Sequence, residues 1–232
     1  MNENKTNINW YPGHMLKTKK QIIEDLKLID VVVELLDARI PKSSRNPDIQ
    51  KIVQNKKRIV LLNKSDLAED RETKKWIEYY KNNNVTAIAC DANLGKGIKE
   101  ILNQIEKSVE EETQKAALKG RVKKNIRVVI LGIPNVGKSS LINRLCNKKT
   151  TIVGNKPGVT KQKQWVRIAN NIELLDTPGV LWPKFEDETV ALNLAYTGSI
   201  KDEVLETIEV AFKLLIYLYL SLIHISEPTR PY

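Results

Sequence analysis

Three short stretches carry residue types whose spacing could do chemistry. Gly132-Ile-Pro-Asn-Val-Gly137-Lys138-Ser139 follows an apolar run and precedes a helical pattern. Glycines there let backbone N–H groups converge on phosphate oxygens, Lys138 brings a point charge to the β and γ groups, and the Ser139 hydroxyl can ligate Mg2+. The residues Asn135, Val136, Gly137, Lys138, Ser139 and Ser140 are taken as the nucleotide contact. Asp176-Thr-Pro-Gly179 follows some forty residues later, where the acid can hold the Mg2+ shell and the Gly179 N–H can approach a γ-phosphate.

The third stretch, Asn63-Lys64-Ser65-Asp66, has the form of a guanine reader. The two carboxylate oxygens of Asp66 can accept the ring N–H and the exocyclic amine of guanine, whereas adenine leaves such an acceptor unpaired. Alone, the same four residues serve equally well as a helix N-cap.

The elements that position these stretches alternate. Met15 to Ile29 carries apolar residues at helical spacing; Val31 to Leu36 reads as a strand buried on both faces and ending at Asp37. A strand at Arg58 to Leu62, a helix around Arg71 to Tyr80, a strand at Val85 to Cys90 and a helix from Ile98 to Val109 follow. Glu110 to Asn125 is charged and reads as an exposed connection before a strand at Ile126 to Leu131. Gln164 to Ile168 and Ile172 to Leu175 flank Asn170-Asn171 as an antiparallel hairpin. The expected fold is α/β, a mostly parallel sheet with helices on both faces. Each motif falls at the carboxyl end of a strand, where open α/β sheets bind ligands.

The guanine reader stands before the phosphate loop. A circular permutation accounts for that order, with the old termini joined through Glu110 to Asn125 and the chain opened after Asp176 to Gly179.

With its 232 residues and 41% hydrophobic content the chain can bury one main domain and a small appendage. The formal charge of +10 points to an anionic partner. Cys90 and Cys146 are the two cysteines, too few for a disulfide framework or a zinc cluster. The stretch Ala211 to Ile225 is interrupted by Lys213 and Ser221, so no membrane span is expected, and the polar start lacks a secretory signal. Between Gly132 and Ile172 no acidic residue occurs, while Lys138, Arg144, Lys148, Lys149, Lys156, Lys161, Lys163 and Arg167 do, either a basic surface that ordering on GTP would present to RNA or a merely solvated basic face.

The chain closely resembles the YlqF family, ribosome biogenesis GTPase A, from about Asn7 to Leu220. The motifs Trp10-Tyr-Pro-Gly-His14-Met, Asp37 to Pro47, Asn63 to Asp66, Gly132 to Ser139, Pro157 to Thr160 and Asp176 to Gly179 stand in that family's order. The resemblance implies a cytoplasmic GTPase converting GTP to GDP and phosphate, acting late in maturation of the large (50S) ribosomal subunit. Its expected partners are that precursor and its rRNA, with no DNA, and its turnover is expected to be stimulated by the particle. It further implies that Thr160 ligates Mg2+ and covers the γ-phosphate, that Asp91 and Ala92 form the second guanine-contacting loop, and that Asn135 accompanies stimulation by K+. Asp91 departs from the serine more usual there.

No glutamine follows Gly179 before Ala191, so the water-orienting role falls to His14 by resemblance. The alternative is that His14 anchors the first helix. An alternative for the whole chain is a nucleotide-sensing RNA or membrane-surface binding module with negligible turnover. The domains expected are a GTPase domain over residues 1–182, the start of a helical RNA-contacting domain over 183–220, and a non-native tail over 221–232, where SLIHISEPTRPY resembles adapter read-through. Such an end is expected to leave the apolar faces between Val204 and Ile223 without their partner helices.

Overall fold

The computed structural model describes residues 23–53, 55–120, 125–146, 152–153, 165–169, 171–175, 187–200 and 206–226. The chain divides into two compact units, Tyr11–Trp182 and one that contains Pro183–Tyr232.

In the first unit β1 (Val31–Asp37) is an interior strand of a seven-stranded sheet. It is flanked by β2 (Lys57–Asn63) and β4 (Ile126–Gly132), both parallel to it. The order is completed by β3 (Thr86–Ala89) outside β2, and by β7 (Ile172–Leu175), β6 (Trp165–Ala169) and β5 (Ile152–Val153) beyond β4. Residues of β1 are buried throughout, which is why its sequence is nearly continuous in Val and Leu. The pairs β6–β7 and β5–β6 are antiparallel, so the expected hairpin forms and a short third strand extends it.

Helices cover both faces. Residues 23–26 are helical, and with α1 (Pro47–Val53) they supply Leu26, Ile29, Ile49 and Val53 to a core with Val32, Val129, Leu131 and Leu175. On the same face α2 (Asp70–Asn82) buries Tyr80 against Leu36, Val60 and Leu62. Between these two apolar clusters sits Glu34, buried, with Arg58 at 3.6 Å and Arg45 at 3.9 Å. Burial raises its pKa, and the two arginines only partly offset that. Burial likewise pushes the nearby Tyr80 phenol up to about 12. On the opposite face lie α3 (Ile98–Ser108), which buries Ile101 and Ile105 over β2, and α5 (Lys138–Leu145), which buries Leu141 and Leu145 over β4.

Two elements differ from the sequence reading. Much of the presumed connection is helix α4 (Glu110–Leu118). Glu110, Glu111 and Glu112 occupy its first turn, where the helix dipole favours acids, and Glu112 meets Lys57 at 2.9 Å. Its lack of an apolar period explains why it reads as a linker. Helix α1 went unread, although Asn46 caps it by accepting from the Ile49 N–H at 3.3 Å and Pro47 occupies the first helical position.

The second unit holds α6 (Glu188–Tyr196), capped by Asp187 on the Thr189 N–H at 2.8 Å, and α7 (Thr207–Ser226). Lys213 of α7 ties Glu188 of α6 to Glu209. Helix α7 runs unbroken past Ser221, and Ile208, Phe212, Leu215 and Tyr219 are exposed along it. No described helix is long and apolar enough to cross a membrane.

Candidate active site

The carboxyl ends of β1, β2, β3 and β4 meet at one edge, because these strands run parallel. That edge collects Asp37, Asn63 to Asp66, Asp91 and the loop after Gly132, so strand register alone unites motifs far apart in the chain.

The phosphate loop turns into α5 through Gly137, which has φ +98° and serves as the helix N-cap. A Cβ there would strike the Asn63 side-chain amide, so both conformation and space require glycine. Lys138 opens the helix and Ser139 stands exposed in its first turn, with N–H groups of the turn facing the loop. Gly132 plays a second part, since a Cβ on it would approach the Leu35 carbonyl of β1 to 2.8 Å.

Asn63 is the joint of the site. Its Nδ2 donates to the Val136 carbonyl at 2.8 Å and its Oδ1 accepts from the Ala92 N–H at 3.0 Å. One buried amide therefore ties the phosphate loop to the loop after β3. The Cys90 thiol adds a donor contact to the same Oδ1 at 3.7 Å. Burial first, and then the charge of Asp91, pushes that thiol to about 12, so it stays protonated as a donor.

Lys64 binds the same two parts from outside. It adopts a left-handed backbone, φ 60°, and its Nζ donates to the Asn135 carbonyl at 2.9 Å and to Asp37 at 3.0 Å. Asn135 is also left-handed, φ 57°. Non-glycine residues rarely adopt this region, at a cost of about 1 kcal/mol each, and here the two are bonded to one another. Lys64 caps the 3-10 turn Ser65–Leu67 with no side-chain hydrogen bond, so the capping alternative for this motif does not describe the structure. Asp66 within that turn is exposed at the edge, while the Ser65 hydroxyl is buried without a protein partner.

Asp37 was not among the expected site residues, although its place at a strand end and at the head of a motif marked it. It is fully buried, receives Arg39 through Nε at 2.9 Å and Nη2 at 2.7 Å, and receives Lys64. Burial would raise its pKa, but the hydrogen bonds from Arg39 and Lys64 overcome that and hold the carboxyl below the usual range. The field of Asp66 reaches the same Arg39 guanidinium.

Asp91 serves its own loop. Its Oδ1 accepts from the N–H groups of Asn93 at 2.8 Å and Leu94 at 3.0 Å, an Asx turn that a serine would make more weakly. The Ala92 N–H is held by Asn63. Arg144 on α5 reaches the Ala92 carbonyl at 3.4 Å and also donates to Asn93, so it links the phosphate-loop helix to the Ala92 loop. It and Arg167, which lies 3.8 Å from Glu173, have protein partners, while Lys148, Lys149, Lys156, Lys161 and Lys163 of the expected basic surface lie outside the described residues. His14, Thr160, Asp176 and Gly179 lie outside the described residues.

Residues 127–221 match a family model described as 50S ribosome-binding GTPase. The ribosome biogenesis GTPase A of Priestia megaterium is 54% identical over 212 residues, covering 91% of this chain and 74% of that protein. The chain belongs to the ribosome biogenesis GTPase A family. Members from Bacillus cereus and Thermotoga maritima are 52% and 36% identical, over 88% and 86% of this chain and 69% of each relative. The crystal structure of GNP-bound YlqF from T. maritima superposes with a TM-score of 0.64 at 30% identity, covering 92% of this chain and 78% of that one.

As a member of this family the protein is a GTP hydrolase with a circularly permuted P-loop GTPase fold, as the sequence order implied. Mg2+ is the usual companion of GTP at such a site. The exposed Ser139 hydroxyl after the phosphate loop is a hard oxygen donor, which suits an ion that keeps most of its waters and takes few protein ligands. Bound there, Mg2+ supplies neutralisation of charge developing on the phosphates. Lys138 stands at the helix start, where a cation and the α5 N–H groups suit phosphate oxygens, and Asn63 and Lys64 tie the guanine-reader motif to the phosphate loop.

Proposed function

We propose that this GTPase acts in the late maturation of the large (50S) ribosomal subunit, with hydrolysis stimulated by the particle and serving as the timer of release. The observation that carries the reading is the match of residues 127–221 to a family described by binding of the 50S ribosome, on a chain whose phosphate loop and base reader are joined through Asn63. The chain's charge of +10 suits the precursor's rRNA. In this reading the protein works in the cytoplasm and K+ stimulates it through Asn135. The residues 1–182 form the GTPase domain, and 183–220 belong to an RNA-contacting helical domain.

The roles outside the described residues follow the same reading. Thr160 and Asp176 complete the Mg2+ shell with Ser139, Gly179 senses the γ-phosphate, and Asp91 and Ala92 frame the base. His14 orients the attacking water, since no glutamine follows Gly179 before Ala191. The test is phosphate release in K+ buffer by the wild type and His14→Ala, with large subunits, small subunits or neither. Large subunits alone should accelerate the wild type, and His14→Ala should lose about 10²-fold of the stimulated rate while still binding GTP, the usual contribution of a proton-handling group. Equal stimulation by both subunits would overturn the large-subunit reading. Stimulation intact in His14→Ala would remove His14 from the reaction.

A further inference from the structure

At the end of the sheet opposite the nucleotide edge lies a cleft of about 630 Å³, bounded by α1, the amino end of β2 and the loop between α2 and β3. The seven residues of β2 separate it from Asn63 by about 20 Å. Lys51, Lys56, Lys57 and Arg58 line it together with the amides Gln50 and Asn84, and among the described residues no carboxylate does.

The cations are not all neutralised. Arg58 faces Glu34, but that carboxylate is shared with Arg45. Lys57 meets Glu112, while Lys56 donates to an uncharged partner, the Ile29 carbonyl, at 3.0 Å. Lys51 is exposed on the last turn of α1. An excess of positive charge is therefore held on a rigid wall of core strand and helix.

The backbone decides between kinds of anion. A site for a small phosphate is built from converging N–H groups. Here the N–H groups of Asn83, Asn84 and Val85 are all spent on the carbonyls of Tyr80 and Lys81, at 3.0 Å each. Both α1 and α2 also end at this edge, presenting carbonyls. Among the described residues these N–H groups form no cradle for a single ion. Dispersed lysines beside neutral amides suit a polyanion that spans them, with cations meeting phosphates and amides meeting base edges or hydroxyls.

We propose that this cleft docks an RNA phosphate backbone, leaving the nucleotide edge open at the other end of the strands. The proposal rests on the reading of a ribosomal particle as partner, and names the surface that meets its RNA. Lys51→Glu/Asn84→Asp reverses or adds charge at two exposed positions, and aspartate tolerates the left-handed φ of 56° at Asn84. Filter binding to purified large subunits and to a naked rRNA hairpin, from about 50 to about 200 mM salt, reads the effect. The variant should bind both about tenfold more weakly at low salt, with the slope of log affinity against log salt reduced by about one. Lys51→Arg should retain both, and particle-free GTP turnover should be unchanged in every variant. Wild-type-like binding by the double variant to particles that the wild type does bind overturns the cleft and leaves the large-subunit reading standing. Binding of the hairpin through these residues with no affinity for large subunits upholds the cleft and overturns that reading. A wild type that binds neither overturns both.

Discussion

Asp66→Asn should lower GTP affinity about 10³-fold and turn the protein toward xanthosine triphosphate, because a carboxylate that accepts two donors is replaced by a group with one acceptor and one donor. Guanine then faces its exocyclic amine with another amine. Xanthine carries a carbonyl at that position and pairs with the new side chain. The structure favours so direct an effect, since Asp66 is exposed at the site edge while its neighbours Asn63 and Lys64 are committed to the protein. Competition of the two nucleotides against a fluorescent GDP reads the switch. A variant that still prefers GTP would mean that Asp66 does not read the base.

Asp37→Asn should destabilise the first unit by about 3 kcal/mol, since it leaves the Arg39 and Lys64 cations facing a neutral amide in a buried position. It should also weaken GTP binding about tenfold, through loss of the charge-assisted bond that sets Lys64 against the Asn135 carbonyl. A pH series separates this electrostatic cause from a packing defect. The folded pKa of Asp37 lies below its ordinary value of 3.8, so its contribution is fully present above that pH and fades as the pH falls through the folded pKa. The stability gap between wild type and variant should thus stay constant through neutral pH and narrow below about pH 4 in denaturation experiments. Glu34, whose pKa is raised, works in the opposite direction but equally in both proteins. A gap that persists unchanged in acid would contradict the ion-pair account.

The parts of this site that could be read from the sequence are those that the chain writes locally. Parallel strands buried on both faces leave apolar runs, and β1, β2 and β4 each end such a run with a residue or loop of the candidate site. The sheet order then follows from placing those ends together, and the permuted order of motifs changes nothing in the arrangement. What escaped reading was the coupling between ends. Asp37 and Lys64 lie 27 residues apart, and Asn63 and Val136 lie 73 apart, so only the register of β1, β2 and β4 brings them into contact. Asp91 is expected at the base as a departure from serine, and the sequence did not show that its carboxylate also closes its own loop. Arg144 looked like part of a basic surface, yet the pitch of α5 turns it onto the carbonyls of Ala92 and Asn93. Helix α4 hid because a charged helix with no buried stripe has no periodic apolar signal.

Asn63 and Lys64 join the guanine-reader motif after β2 to the phosphate loop after β4, so base and phosphates are expected to be read together. The most direct test is phosphate release by the wild-type protein from GTP and from ATP, at equal concentration with Mg2+ and K+. The prediction is turnover of GTP with ATP slower by at least about 10²-fold, the discrimination expected when a hydrogen-bonding acceptor is left unpaired by the wrong base. Equal turnover of the two nucleotides would contradict the account, because the site would then be hydrolysing phosphates without the base reader being part of it.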